Sequence, residues 1–576
     1  MFQFQEDEKR RKALQEPGNM LIIGGPGSGK TTFALFKSKQ LIESGIIQSG
    51  QKVLFLSFAR STISRVEEQA GYLVDSKIKA SIEINTYHGF IWNILKKHGY
   101  LLSDKPLKLL PPHEASTRLA RVDKSQILTV ANTWFEEEGL VHFDLFASLC
   151  NRLLSSSQSL LKIICDMYPV IILDEFQDTN PDEWLLIRTL GAHSTLIALA
   201  DPDQRIYDFR GADPQRIPSF IEKYNPAVFD FGTENNRSNG TDIVEFGNDL
   251  LAQANKSKTY KDVEVRYYSS INPALKHIYF KSLLLAACKW TKKESPDKWS
   301  VAVLVPTNAY MLEISDFLQK EQQLGESKKL PVIHHDVAVD TAGPSLAASL
   351  VATLLEKGSC GICEPKVVIE QCLSHILGRK GNSSPPQKDL TFVEALNKYI
   401  TPGNVIGKTR LAFIDECASI AADVNTMRFS GNVITDWNQI VSRLACSTNS
   451  YIIQAANDAK YIRLLQRRSQ LYSALSLLWK ETHSYSDAFD AVSFALTQEH
   501  FSMSTKTWDG VSVMTIHKSK GKEFDVVIIY EGKYQNRIVS KPDRIDQARL
   551  NLRVAVTRAK RCAVILTPED DPCPLL

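Results

Sequence analysis

The sequence predicts an α/β protein: two parallel sheets flanked by helices, each sheet interrupted by a helical insertion. Three observations predict it. Short apolar runs alternate with helical patterns through the first third, the alternation resumes at Val301, and the stretches between carry helical periodicity without strand-like runs. At 576 residues the chain exceeds what one hydrophobic core organises, so several domains are expected.

In chain order, Met20–Ile23 runs into GGPGSGKTT, Val53–Leu56 into SFARS and Ile82–Ile84 into NTYHGF. Val170–Leu173 runs into DEFQDTN, and Leu196–Leu199 into ADPDQ. Continuous Val/Ile/Leu runs belong to strands buried on both faces, as in a parallel sheet. Ligands bind such sheets at the carboxyl ends of the strands, where every one of these polar clusters stands. Trp92–Leu161 lacks good strands and reads as the first helical insertion. Val301–Val305, Val511–Met514, Val526–Ile529 and Cys562–Leu566 supply the second sheet, with a helical insertion over Glu364–His500. The expected domains are therefore 1–91 with 162–232, an insertion 92–161, then 233–363 with 501–576, and an insertion 364–500.

Composition narrows the class. Hydrophobic residues at 43% and charged residues at 23% are ordinary for a water-soluble protein. No apolar run reaches membrane-spanning length: Pro169–Leu173 and Val526–Tyr530 are strand-sized. The opening MFQFQEDEKRRKALQ is polar and of mixed charge, unlike a signal peptide or an anchor, so a cytoplasmic location without a membrane partner is expected. A net charge of +3 neither favours nor excludes nucleic acid. The local basic clusters Lys9–Lys12, Lys518/Lys520/Lys522 and Arg549–Arg561 face either phosphates or plain solvent.

The ten cysteines form no secreted-type framework, which points to reduced thiols. Cys360, Cys363, Cys372 and His375 are spaced C-x₂-C-x₈-C-x₂-H, which fits two readings. One is a tetrahedral zinc site. The other is an amphipathic helix over Val367–Leu377 with Cys372 as a small core residue.

The strongest motif is Gly24, Gly25, Pro26, Gly27, Ser28, Gly29, Lys30 and Thr31, a G-x₄-G-K-T loop between a strand and a helix, followed by Thr32. Its glycines let backbone N–H groups turn inward around phosphate oxygens, and the helix N-terminus adds a favourable dipole. Lys30 is placed to reach the β- and γ-phosphates and Thr31 to ligate Mg²⁺. Asp174 and Glu175 stand together at a strand tip. There, Asp174 suits the Mg²⁺ shell and Glu175 suits activation of the attacking water. ATP and Mg²⁺ are the expected ligands.

These residues reach a resemblance. Asp174-Glu-Phe-Gln-Asp-Thr-Asn180 looks like the extended Walker B of superfamily 1A helicases, the UvrD/Rep/PcrA-like group. Ser57–Arg60 resembles motif Ia, Thr86-Tyr87-His88 motif Ib, and Ala200–Ala212 the family's GDxxQSIYxFRGA. Asn235–Ser238 resembles N-Y-R-S, Met514–Phe524 matches motif V and Val554–Ala559 matches motif VI, all in family order across nearly the whole chain. The resemblance implies two RecA-like domains, ATP-driven movement along single-stranded DNA or a single-strand/duplex junction, and 3′–5′ polarity. It places Gln204 at the γ-phosphate and attacking water, and Arg237 and Arg558 as arginine fingers from the second domain. Gly521 and Glu523 fall at the nucleotide, with Glu523 on the ribose. Phe58, Arg60, Thr86, His88, Tyr207, Phe209, Arg210, Thr515 and His517 fall on DNA-contacting motifs, where aromatic rings stack on bases of any sequence. Spacing alone equally allows Tyr207 and Phe209 as core packing.

Departures are equally specific. Lys9 stands where distance to the loop places the family's N-terminal glutamine, unless Gln3 or Gln5 shifts into register. Asn236 replaces a tyrosine that stacks on adenine, and Thr32 replaces an arginine. Weaker discrimination for adenine is expected. Arg553 replaces a common tyrosine and Phe209 a tryptophan. The short insertions resemble helicase-like subunits of phage-defence systems of the Gabija type, which implies an OLD-family nuclease partner. The alternative to a motor is then an NTP-driven, DNA-sensing switch in such a nuclease complex, without processive unwinding. A P-loop kinase or GTPase has no use for the DEFQD and ADPDQ segments or for two arginine-bearing motifs in a second domain.

Overall fold

The computed structural model describes residues 8–25, 27–58, 66, 75–202, 213, 215–232, 240–269, 273–296, 298–324, 328–337, 342–381, 384–400, 407–460, 470–501 and 508–576. The chain divides into two compact units, one comprising 1–95, 147–338 and 503–576, the other 96–146 and 339–502.

The first unit carries two six-stranded sheets. The strands of the first are β1 (Met20–Ile23), β2 (Val53–Ser57), β3 (Ile82–Thr86), β4 (Val170–Leu173), β5 (Thr195–Ala200) and β6 (Ala227–Asp230). They lie in the order β3-β2-β4-β5-β1-β6, every pair parallel. The register pairs Ile23 with Ala200 and Leu173 with Ala198, so the tips of β1, β5 and β4 share one edge. Strand β5 therefore separates the glycine-rich loop after β1 from Asp174 after β4.

The second sheet comprises β7 (Val263–Tyr268), β8 (Ser300–Val305), β9 (His335–Val337), β10 (Gly510–Thr515), β11 (Phe524–Tyr530) and β12 (Ala559–Pro568). Its order is β9-β10-β8-β11-β12-β7, again all parallel. The central strands β4, β8 and β11 are buried at every residue, as two-sided cover requires. The expected α/β class with two parallel sheets is found. Strands β6, β7 and β9 go beyond the sequence reading; all three are edge strands, and none is a continuous buried run.

Among the described residues, the second unit is helical apart from the short parallel pair Lys108–Leu109 and Leu140–Val141. Sequence placed the insertions at 92–161 and 364–500; in the structure helix Gln158–Met167 groups with the sheets and helix Ala342–Cys360 with the helical unit. That helix is small and apolar on most faces, and Leu350, Val351, Leu354 and Leu355 sit in one core with Val368, Phe413, Trp437 and Leu444. A helix apolar on nearly every side belongs in the middle of a bundle. Asp436 closes the adjoining loop: it accepts hydrogen bonds from the backbone N–H groups of Ser430 and Gly431 and from the Tyr485 hydroxyl, at 2.9, 2.8 and 2.9 Å.

His113, on helix Pro112–Leu119 of this unit, is 4% exposed, and burial pushes its pKa down from 6.5 to about 4. Its neutral form is the one that folds, so stability is intact above 6.5 and is lost as pH falls from there toward 4. At about pH 5 the loss is expected to reach about 2 kcal/mol. Urea unfolding of wild type and His113→Leu at about pH 7.5 and about pH 5 checks it. The wild type should lose more stability on acidification than the variant; equal losses would remove His113 as the cause.

Candidate functional site

Helix Lys30–Glu43 begins directly after the glycine-rich loop, with Gly29 in the left-handed region at φ 85° and Gly27 at φ 80°. Glycine adopts this conformation without a Cβ penalty, which curls the backbone amides of Gly27–Lys30 around one locus at the helix N-terminus. The loop is tied to two strand ends: the Gly24 N–H donates to Ala200 O at 3.2 Å and the Gly25 N–H to Gly232 O at 3.0 Å. The Lys30 ammonium bridges Gly24 O and Gly25 O at 2.5 and 3.1 Å, inside the curl. Thr31 and Thr32 open the first helical turn.

A Cβ at Gly24 meets Ser28 Oγ at 2.5 Å, Ser28 Cβ at 3.2 Å and Phe231 Cβ at 3.3 Å. Gly24→Ala is therefore expected to distort the loop at a cost of about 1–3 kcal/mol, read as a rise of roughly 5- to 150-fold in KM for ATP. Steady-state kinetics measure it, and an unchanged KM would mean that the loop absorbs the methyl.

At the tip of β4, Asp174 is 5% exposed and its Oδ2 accepts from Ser57 Oγ at 2.9 Å. The hydroxyl holds the carboxylate at the loop edge of the sheet. Glu175 follows in the left-handed region, φ 53°, an uncommon conformation for a residue with a side chain. Its Oε2 accepts from Gln177 Nε2 at 2.6 Å and lies 3.7 Å from Lys520 Nζ. Burial pushes the Glu175 pKa up, but Lys520, Lys30, the Gln177 hydrogen bond and Arg558 together outweigh it and hold the carboxyl below its ordinary value. Glu175 is thus ionised at neutral pH, the state that a base requires.

Two of those cations come from the second sheet. Lys520, in the turn between β10 and β11, is 4% exposed and forms a close ion pair with Asp178 of the first sheet domain. Arg558, just before β12, is 2% exposed and steadied by Val554 O at 3.0 Å from its Nε. Gly521, at φ 74°, and Glu523 continue the Lys520 turn into β11. The site residues Lys30, Asp174, Glu175 and Arg558 are therefore brought together. Pro26, Gln204 and Arg237 lie outside the described residues. The loop curl and the Thr31 and Asp174 oxygens match the donor set of a nucleoside triphosphate with Mg²⁺.

On the nucleic-acid motifs, the Phe58 ring stacks on Tyr87 with centroids 4.2 Å apart and planes 16° apart. Thr86 Oγ1 accepts from the Gly89 N–H at 2.9 Å and so starts helix Tyr87–His98. Thr515 is buried at the end of β10, whereas the adjoining His517 is exposed and His88 half-buried. Phe58, Thr86, His88 and His517 thus keep accessible surface, while Thr515 is buried. Arg60, Tyr207, Phe209 and Arg210 lie outside the described residues, as do Gln3, Gln5 and Asn236.

Three expectations change. Lys9 is exposed; Arg10, one residue on, is 3% exposed, donates from Nη2 to Ser28 O of the loop at 3.1 Å and lies over the Phe231 ring at 5.1 Å. One residue is a rotation of roughly 100° on a helix, enough to turn a side chain from solvent to the loop. The Arg549–Arg561 cluster is largely structural: Arg549 donates to Leu250 O at 3.1 Å, and Arg553, 1% exposed, to Asn248 Oδ1 at 3.3 Å. The zinc reading is not supported. His375 Nε2 is 2.8 Å from Asp458 Oδ2, Cys372 and Cys363 lie in the helical core, and Cys360 is exposed. Among the described residues no group of three His, Cys, Asp or Glu side chains is placed to hold a metal ion. Among them, too, no helix is long and apolar enough to cross a membrane.

A phosphate-cradling loop, paired carboxylates two strands away and cations supplied by a second parallel sheet define a P-loop protein with two RecA-like domains. The chain belongs to the UvrD-like helicase family. Residues 5–135 and 112–225 match the family model of the UvrD/REP helicase N-terminal domain, and residues 299–567 that of the UvrD-like helicase C-terminal domain. A Probable DNA helicase II homolog of Mycoplasma capricolum subsp. capricolum is 22% identical over 96% of this chain and 83% of that protein. DNA helicase II of Escherichia coli is 24% identical over 43% of this chain and 40% of that protein. ATP-dependent DNA helicase PcrA of Staphylococcus epidermidis is 23% identical over 53% of this chain and 48% of that protein. The match thus spans most of the first relative and less than half of the other two.

Proposed function

We propose that the chain is an ATP-dependent single-stranded DNA translocase acting as a 3′–5′ helicase, with its two RecA-like domains closing on ATP. The observation that supports this most is the arrival of Lys520 and Arg558, from the second sheet, beside Glu175 at the tip of the first. A site completed across a domain boundary makes closure and catalysis one event, which is what converts hydrolysis into stepping.

In this reading the amides of Gly27, Gly29 and Lys30 cradle the phosphates, and the Lys30 ammonium neutralises the β- and γ-oxygens. Thr31 and Asp174 hold Mg²⁺, which when bound screens phosphate charge. Glu175 takes a proton from the attacking water, and Gln204 orients that water. Arg237 and Arg558 stabilise charge on the transferring phosphoryl group, and Glu523 holds the ribose. Phe58, His88 and His517, with Arg60, Tyr207, Phe209 and Arg210, line the strand path. The motor domains are 1–95 with 147–232 and 233–338 with 503–576. Adenine is read weakly, since Thr32 and Asn236 are not the family's base contacts, so other NTPs are also hydrolysed.

The test is steady-state NTP hydrolysis with and without single-stranded DNA, beside Lys30→Ala. Strong stimulation that the variant loses supports the translocase, and strand displacement on 3′- and 5′-tailed duplexes then reads polarity. Robust hydrolysis indifferent to DNA would sink it in favour of a nucleotide-driven switch.

A further inference from the structure

Gln177 is 1% exposed and spends both ends of its amide inside the site. Its Nε2 donates to Glu175 Oε2 at 2.6 Å, and its Oε1 accepts from the Asp201 backbone N–H at 3.0 Å. Asp201 follows the last residue of β5, three residues before Gln204. One side chain thus joins the carboxylate after β4 to the backbone after β5, two adjacent strands in register. The rest of its surroundings is rigid: helix Pro181–Leu190 starts on a reciprocal Asn180–Glu183 cap, and Thr179 Oγ1 bonds Phe176 O at 2.9 Å.

We propose that Gln177 is a positioning residue, which fixes the rotamer of the water-activating Glu175 and ties it to the main chain at the end of β5. The proposal rests on the hydrolysis reading given above. Glu175 has the unusual left-handed backbone, so its own main chain gives its carboxylate no ordinary helical or strand-borne direction. The Gln177 donor supplies that direction. Because the acceptor end is held by the Asp201 main-chain N–H, the amide and therefore the carboxylate keep a fixed place relative to the end of β5.

Two near-isosteric variants test it. Gln177→Met keeps the volume and removes both hydrogen bonds; Gln177→Glu keeps the shape, removes the donor and adds a like charge. The Met variant is expected to lower kcat for ATP hydrolysis by about 10- to 100-fold with KM for ATP little changed, because the base is misaimed rather than absent. Among the described residues, the cations acting on Glu175 are Lys520, Lys30 and Arg558, and all remain. Thermal unfolding of both, alongside, confirms that they fold. Wild-type kcat in folded Gln177→Met would overturn the proposal. Glu175→Gln separates the two levels: if it leaves hydrolysis intact, the site reading itself fails. If it abolishes hydrolysis while Gln177→Met does not reduce it, only the positioning role fails.

Discussion

Glu175→Gln is expected to lower kcat for ATP hydrolysis by about 10²–10⁴-fold while leaving ATP binding close to that of wild type. The substitution keeps shape and removes only the ability to take a proton. Lys30, the loop amides and Asp174 are untouched, so the phosphates keep their partners. Burial opposes ionisation of Glu175, and four neighbours restore it: Lys520, Lys30, Gln177 and Arg558. A protein that surrounds one half-buried carboxylate in this way keeps it charged against its surroundings, as catalysis by a base demands. Single-turnover hydrolysis and titration with a fluorescent ATP analogue separate the two effects. Retention of more than about a tenth of the wild-type rate would assign proton removal elsewhere.

The second large effect is expected from Lys520→Met. Lys520 and Asp178 are 342 positions apart and pair while nearly excluded from water, linking the two sheet domains. Removing one partner of a buried charged pair costs about 2–5 kcal/mol, much of it from the partner left behind. Glu175 loses a cation at 3.7 Å at the same time, so its pKa rises. Activity depends on the ionised form and falls as pH drops through that pKa, so the acid limb of kcat moves upward. Lys520→Arg retains the charge and should keep the limb near its wild-type position. A lowered melting temperature with an unmoved acid limb would restrict Lys520 to stability.

What could be read from the sequence was what is local along the chain. The loop from Gly24 to Thr31 and the Asp174–Glu175 pair each sit within a few residues of their strand, and buried central strands are unbroken apolar runs. Edge strands β6, β7 and β9 face water on one side and so carry a weaker pattern. The pairing of Lys520 with Asp178 was hidden because sequence separation says nothing about which strand tips meet. Arg10 was missed by one residue, since counting distance to the loop ignores which side of a helix faces it. Gln177 lay inside a quoted motif, but its two-ended bonding depends on Asp201 from another strand. His375 matched a ligand spacing, but in the structure it pairs with Asp458, a partner that only the helical packing brings near.

The helical unit is assembled from two stretches of chain that are synthesised far apart. Helix Pro112–Leu119 packs on helices Ala342–Cys360 and Pro365–Gly378, and its Thr117 hydroxyl donates to Ser374 O, 257 positions later. At roughly 5–20 residues per second, a ribosome exposes Thr117 roughly 10–50 s before its acceptor exists. During that interval the buried face of this helix, His113 and Ala115 included, has no native cover. The first insertion must therefore wait, shielded or reversibly unfolded, until the second one is made, and the slowest step of biogenesis is expected to be the meeting of these two stretches.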